Sequence, residues 1–195
     1  MINEALVNTW NIRRQNIEGN MESTRIILTP PSHKYTNAMW RVITNSQTEL
    51  STFLPWVTES LTLQTLENNV QMAVDNYHQF TDGFWFNIVE KQTQSFIGVV
   101  GFIIRDATVP YFELGYWLDS GKTGQGFISE ALPLVERYAF DEKKAKRLEI
   151  KMAGSNQQSR AVAERCGFCL EAKLSHARRL PSGVIDSTWV YAKFA

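Results

Sequence analysis

Glu113–Leu132 reads ELGYWLDSGKTGQGFISEAL, and this stretch decides the fold. Its first part is a short apolar run that ends in Leu118 and has strand character. A polar turn with Gly121, Gly124 and Gly126 follows. A helical pattern then begins at Phe127, with Ser129, Glu130, Ala131 and Leu132. Strand, glycine loop and helix in that order aim several backbone N–H groups at one point, where the helix dipole adds positive potential. Such a loop binds a phosphate or pyrophosphate. No lysine follows its second glycine as it would in a Walker loop, which argues against a general nucleotide-binding module.

The rest of the chain alternates between two periodicities. Arg25–Thr29 is β-rich and is stopped by Pro30 and Pro31. Apolar residues at helical spacing predict helices over Lys34–Thr52 and Thr62–Phe80, with a break at Phe53–Val57 around Pro55. Phe84–Glu90 and Ser95–Arg105 predict a hairpin turning at Lys91–Gln94, and Tyr111–Leu118 a third strand. Phe127–Phe140 predicts a helix that Pro133 should bend. Arg147–Met152 reads as a strand and Gln158–Cys166 as a short helix stopped by Gly167. Phe168–Ala177 and Val184–Phe194 are the last two strands. This order predicts a mixed α/β fold, one sheet with helices on both faces. Residues 1–21 read as an N-terminal extension, in which Leu6, Trp10 and Ile12 hint at packing, and residues 22–195 as the domain.

A chain of 195 residues is one domain, long enough for a real core. Lys and Arg total 20 and Asp and Glu total 20, so no net field favours nucleic acid or an anionic membrane. The basic runs Lys143–Arg147 and Arg178–Arg179 read as solvated faces. No apolar run reaches the ~20 residues of a membrane span. The N-terminus lacks the basic start and apolar stretch of a signal peptide. With two cysteines, these features predict a cytoplasmic protein. Cys166 and Cys169 form a C-x-x-C, but a zinc site needs further ligands and the three histidines are scattered. The pair reads as two small apolar residues at a helix-to-strand junction, and no metal is expected.

A second segment, Asn156–Phe168 (NQQSRAVAERCGF), completes a pattern. ELGYWL resembles E-I-G-Y-W-(I/L). GQGFISEAL resembles G-x-G-I-x-(S/T)-x-A. NQQSRAVAERCGF resembles N-x-x-S-x-x-x-x-E-R-x-G-F. The three blocks, in this order and spacing, resemble the GNAT superfamily of N-acetyltransferases, and most closely its RimJ/RimL-type enzymes, which acetylate the N-terminal amine of ribosomal proteins. The resemblance implies a GNAT fold: a mixed, mostly antiparallel central sheet with a splayed strand pair and helices on both faces. It implies acetyl-CoA as cosubstrate. The pantetheine arm would add to the strand edge at Tyr116, Trp117 and Leu118. The pyrophosphate would sit on the loop Thr123, Gly124, Gln125, Gly126, Phe127, Ile128 and Ser129. Asn156 would hold the arm from the other side. The implied acceptor is a protein N-terminus, in particular a ribosomal one, or a small amine, and a homodimer is a further expectation. Read by themselves, Asn156 is also a helix N-cap, and Gly124 and Gly126 an ordinary turn with a cap.

Two departures from the family pattern bear on chemistry. Thr123 stands where the superfamily loop has Gln or Arg, and Ile128 at its last position; Lys122 offers a compensating charge. Ala163 stands where many members have a tyrosine that protonates the thiolate. RimL-like enzymes use a serine instead, matched by Ser159, and a glutamate base at the position of Arg178. Ser159 is therefore the expected acid. Glu113 is the remaining carboxylate, either a base acting through water or a structural ion pair. An α-amine costs about 1 kcal/mol to deprotonate at pH 7 and a lysine about 4–5 kcal/mol, so a site without a strong base suits an α-amine. Acceptor contacts are expected from Phe53–Val57, the first two helices and the Arg178–Val184 hairpin. The alternatives are an acetyltransferase for a polyamine, aminoglycoside or amino acid, and a CoA-binding protein that has lost catalysis.

Overall fold

In a computed structural model of the protein, residues 21–195 are described. Strands β1 (Ile26–Thr29), β2 (Gly83–Glu90), β3 (Ser95–Asp106), β4 (Tyr111–Leu118), β5 (Arg147–Ala153), β6 (Cys169–Arg179) and β7 (Ile185–Phe194) form one sheet in the order β1-β2-β3-β4-β5-β7-β6. β1 ends where Pro30 and Pro31 offer no N–H to a ladder. Neighbouring strands are antiparallel except β4 and β5, which run parallel. A parallel pair needs a long crossover, and α4 (Phe127–Arg137) supplies it.

Side chains alternate across a strand, so each apolar strand serves two cores. On one face, Phe86, Val100, Phe102, Phe112, Leu114 and Ile150 pack with α4 residues Ala131, Leu132 and Val135. Ala163 of α5 (Gln157–Arg165) joins that core. On the other face, Phe96 and Val99 pack against Met39 and Ile43 of α1 (Thr36–Asn45). A short α2 (Gln47–Leu50) follows α1, and Leu66 and Val70 of α3 (Leu63–Gln79) complete this second core.

Three local features depart from the sequence reading. The helix expected over Lys34–Thr52 is broken at Ser46, which is fully buried. Its Oγ accepts the Ser120 N–H at 2.9 Å, tying the first helices to the loop after β4. α4 stays helical through Pro133, and the departure from α geometry comes at a π turn, Tyr138–Glu142. Met21, assigned to the extension, accepts the Leu28 N–H at 2.7 Å and packs against the first core, so it is part of the sheet domain. The rest of that extension, with Leu6, Trp10 and Ile12, lies outside the described residues.

One feature positions the site. The β4–β5 ladder pairs Tyr111 with Arg147, Phe112 with Leu148 and Glu113 with Glu149, then stops. β5 continues along β7 as far as Ala153, and β4 along β3 as far as Leu118. The two strands splay, and the β4 edge beyond Glu113 has no strand against it.

Candidate active site

The loop after β4 is shaped by local bonds. The Asp119 carboxylate accepts the Gly121 N–H at 2.9 Å, and the Thr123 hydroxyl donates back to the Ser120 carbonyl at 2.9 Å. Gly124 (φ 74°) and Gly126 (φ 84°) take the left-handed region that glycine adopts without penalty. Gly126 is the N-cap residue of α4, so the first-turn N–H groups face out of the loop. Phe127 and Ile128 bury their side chains in the core, which leaves only their backbone to a ligand. The Gln125 side chain donates to the Gly121 carbonyl at 3.0 Å and stiffens the turn.

The charge at the loop comes from residues not expected to provide it. Lys122 donates to Glu90 Oε2 at 2.8 Å, so its ammonium is engaged there rather than standing in for the missing long donor at Thr123. That bond, with one from Thr93, holds the Glu90 carboxyl below its usual range. Two arginines also reach the loop. Arg25, just before β1, donates from Nη2 to the Gln125 carbonyl at 2.9 Å, pairs with Glu130, and lies 4.5 Å over the Phe127 ring. Arg165, at the end of α5, donates to Ser129 Oγ at 3.0 Å. Arg165 lies inside the third sequence block and was legible as a candidate. Nothing in the chain near Arg25 marks it.

Across the splay, β4 meets α5. Asn156 caps α5, its Oδ1 accepting the Ser159 N–H at 3.0 Å, which fixes the backbone of the first turn at Ser159. The Tyr116 hydroxyl lies 3.0 Å from Ser159 Oγ and donates to the Ser159 carbonyl at 3.2 Å. Burial pushes the Tyr116 hydroxyl well above its ordinary range, so it holds its proton at any physiological pH. Ala163, where other family members carry tyrosine, is completely buried in the core. Arg178, at the family's base position, donates to Thr188 Oγ1 at 3.4 Å and brings no carboxylate.

Glu113 is an odd number of residues from Tyr116 and so faces the other side of the sheet. The structure does not bring it together with Ser159. Its Oε2 accepts from Arg105 Nε and Nη2 at 2.9 and 2.7 Å and lies 3.3 Å from Lys151 Nζ. It is ion-paired from both sides. On that same face, between the sheet and the helices α1 and α3, lies a cavity of about 430 Å³ that reaches β4 at Gly115, Tyr116 and Trp117. Trp117 was expected only as backbone support for the cofactor arm. Its side chain turns into the second core, 6.0 Å from the Trp56 ring. Trp56 comes from the Phe53–Val57 segment expected to contact the acceptor. Leu118, the last β4 residue, is buried against the first core.

Cys166 ends α5 and Cys169 opens β6. Burial raises the Cys166 thiol above its ordinary range, which disfavours the thiolate. Cys166→Ala combined with Cys169→Ser is expected to keep acetyl transfer within a few-fold of wild type. Loss of turnover in a double variant that keeps its circular dichroism spectrum would count against this. Among the described residues, no group of three or more His, Cys, Asp and Glu side chains could hold a metal ion. No described helix is long and apolar enough to cross a membrane.

Comparison with known proteins agrees with this geometry. The family model for an acetyltransferase (GNAT) domain matches residues 25–169. A ribosomal-protein-serine acetyltransferase of Escherichia coli (strain K12) is 30% identical over 166 residues, 83% of this chain and 88% of that protein. Among solved structures, the microcin C7 self-immunity acetyltransferase MccE, in complex with acetyl-CoA and AMP, superposes with a TM-score of 0.81 at 26% identity, covering 89% of this chain and 94% of that one. A RimL ribosomal L7/L12 alpha-N-protein acetyltransferase in complex with coenzyme A superposes with a TM-score of 0.82 at 24% identity, covering 88% and 95%, and shares the fold. The motifs, the glycine loop beside a splayed strand and the match over residues 25–169 make one case: the chain belongs to the GNAT family of acetyl-CoA-dependent acetyltransferases.

Proposed function

We propose that the chain transfers the acetyl group of acetyl-CoA to the N-terminal α-amine of a protein, by direct attack of the amine in a ternary complex. The observation that carries this reading is the Tyr116–Ser159 hydroxyl pair beside the unpaired β4 edge. The name of the Escherichia coli relative supports a ribosomal protein as acceptor and, with it, a cytoplasmic setting. In this reading the pantetheine amides pair with β4 along Tyr116–Leu118, and the pyrophosphate rests on the amides of Gly124–Ser129. Arg25 and Arg165 add charge there, and the Asn156 Nδ2 protons serve the arm, since the cap uses only Oδ1.

The chemistry then needs few groups. Backbone N–H groups at Gly115–Leu118 polarise the thioester carbonyl. Holding both reactants together supplies much of the rate. As the carbon–sulfur bond breaks, Ser159 Oγ gives its proton to the thiolate and recovers one from water, while the Tyr116 hydroxyl, which keeps its own proton, holds Ser159 in place. The amine proton passes through water to Glu113. That carboxylate is already shared by Arg105 and Lys151, so the relay suits an amine that sheds its proton readily.

Ser159→Ala and Tyr116→Phe are each expected to lower kcat by about 10²-fold, the lower end for general acid catalysis, while CoA affinity stays nearly unchanged. Thiol release and calorimetry measure the two quantities. A wild-type kcat in both variants would remove the acid assignment. A small amine is the second reading, favoured by the MccE likeness, whose complex holds AMP beside acetyl-CoA. An assay pairing a free-N-terminal peptide with spermidine, an aminoglycoside and free amino acids decides between them. The absence of thiol release with all of these would leave a CoA-binding protein without catalysis. A homodimer is part of the same proposal, and sedimentation equilibrium measures it.

A further inference from the structure

We propose that the cavity beside Gly115–Trp117 seats the first side chain of the acceptor, and that it selects a large apolar or aromatic one. This inference rests on the α-amine reading. Three observations lead to it.

The first is position. Gly115 and Trp117 belong both to the unpaired β4 edge and to the cavity wall, so an amine attacking at that edge has its α-carbon substituent at the cavity mouth. The second is the floor. Gly115 stands opposite Gly101 on β3, and a Cβ built on Gly115 would meet nothing within 4 Å. At this register neither strand adds a side chain of its own; Trp85 stands close over Gly101, and the space above Gly115 stays open. The third is the lining. The volume of about 430 Å³ is in the range of small-molecule sites. The walls include Met39, Trp56, Met72, Trp85 and Trp117, and no charged residue is among the described lining residues. Met72 is 61% exposed and Trp56 is 42% exposed. Large apolar side chains gathered at the mouth of an apolar cavity mark a binding surface.

A polyamine or an aminoglycoside would find no countercharge among these walls, and a first residue of Asp or Lys would exchange its hydration for neutral groups only, Asn69, Asn76 and the Trp85 indole N–H. Serine or alanine would leave most of the space empty. Leucine, methionine or phenylalanine would fill it and move apolar area out of water, worth roughly tenfold to a hundredfold in kcat/KM.

The test uses peptides identical except for the first residue, Leu, Met, Phe, Ser, Ala, Asp or Lys, each with a free N-terminus, at saturating acetyl-CoA. We expect kcat/KM for the Leu, Met and Phe peptides to exceed the others by roughly tenfold or more. Ser or Asp peptides that react as fast as Leu would overturn the inference and leave the α-amine reading standing. If no peptide reacts, the α-amine reading falls, and binding decides the cavity by itself. Quenching of the tryptophan fluorescence of the CoA-loaded protein by leucinamide, at concentrations where serinamide has no effect, sustains the apolar seat; equal affinities overturn it. Met72→Glu, at an exposed position, is expected to lower the rate with the Leu peptide by about tenfold and raise it with the Lys peptide. An unchanged ranking in that variant would place the side chain elsewhere.

Discussion

Gly126→Asp is expected to weaken CoA binding by roughly a hundredfold or more, at about 1.4 kcal/mol per tenfold. Two costs add. At φ 84° a side chain brings the left-handed penalty of about 1–2 kcal/mol that glycine avoids. The new carboxylate also faces the pyrophosphate in place of the α4 N-terminus, and like charges held together cost as much again or more. The fold should survive, because the built Cβ meets only the flexible end of Arg25 at 3.5 Å. Calorimetry with CoA gives the affinity and circular dichroism the fold. Unchanged affinity in the folded variant would refute the assignment of the loop.

A peptide with a free N-terminus is expected to react roughly 400-fold faster at pH 7 than the same peptide blocked there and carrying a lysine. The factor follows from amine basicity, about 7.8 against about 10.4, because only the neutral amine attacks. The active-site arrangement does little to narrow it. Glu113 is bound by Arg105 and Lys151, and Arg178 has replaced the carboxylate expected on β6. Raising the pH toward 10 should erode the preference as lysine loses its proton. Thiol release with the two peptides across that range measures it, and equal rates at pH 7 would sink the claim.

How much of this was legible in the chain depends on the range of the interaction. The strands and helices follow local periodicity, and their order was readable almost element by element. The loop was readable because Gly124 and Gly126 announce left-handed backbone. The stop of the β4–β5 ladder at Glu113 was not, since no residue of Arg147–Ala153 states how far it pairs; that expectation came from the family likeness alone. Tyr116 was expected to serve through its backbone, yet its hydroxyl reaches Ser159 on α5. Period-two alternation would have separated it from Trp117, which turns to the second core. Arg25 reaches the loop from just before the edge strand β1, a contact that only tertiary structure creates.

The unpaired length of β4 is also a thermodynamic liability. Strand edges with open N–H and C=O groups invite pairing with any extended chain. Here the edge is recessed between two strands of one sheet rather than displayed at its rim, so what enters must be narrow and amide-bearing. A ligand of that shape satisfies the open groups and stabilises the folded state by mass action, by about 2.7 kcal/mol at a hundred times its Kd. The melting temperature of the protein therefore depends on the supply of its cosubstrate. When that supply falls, the protein loses that increment of stability.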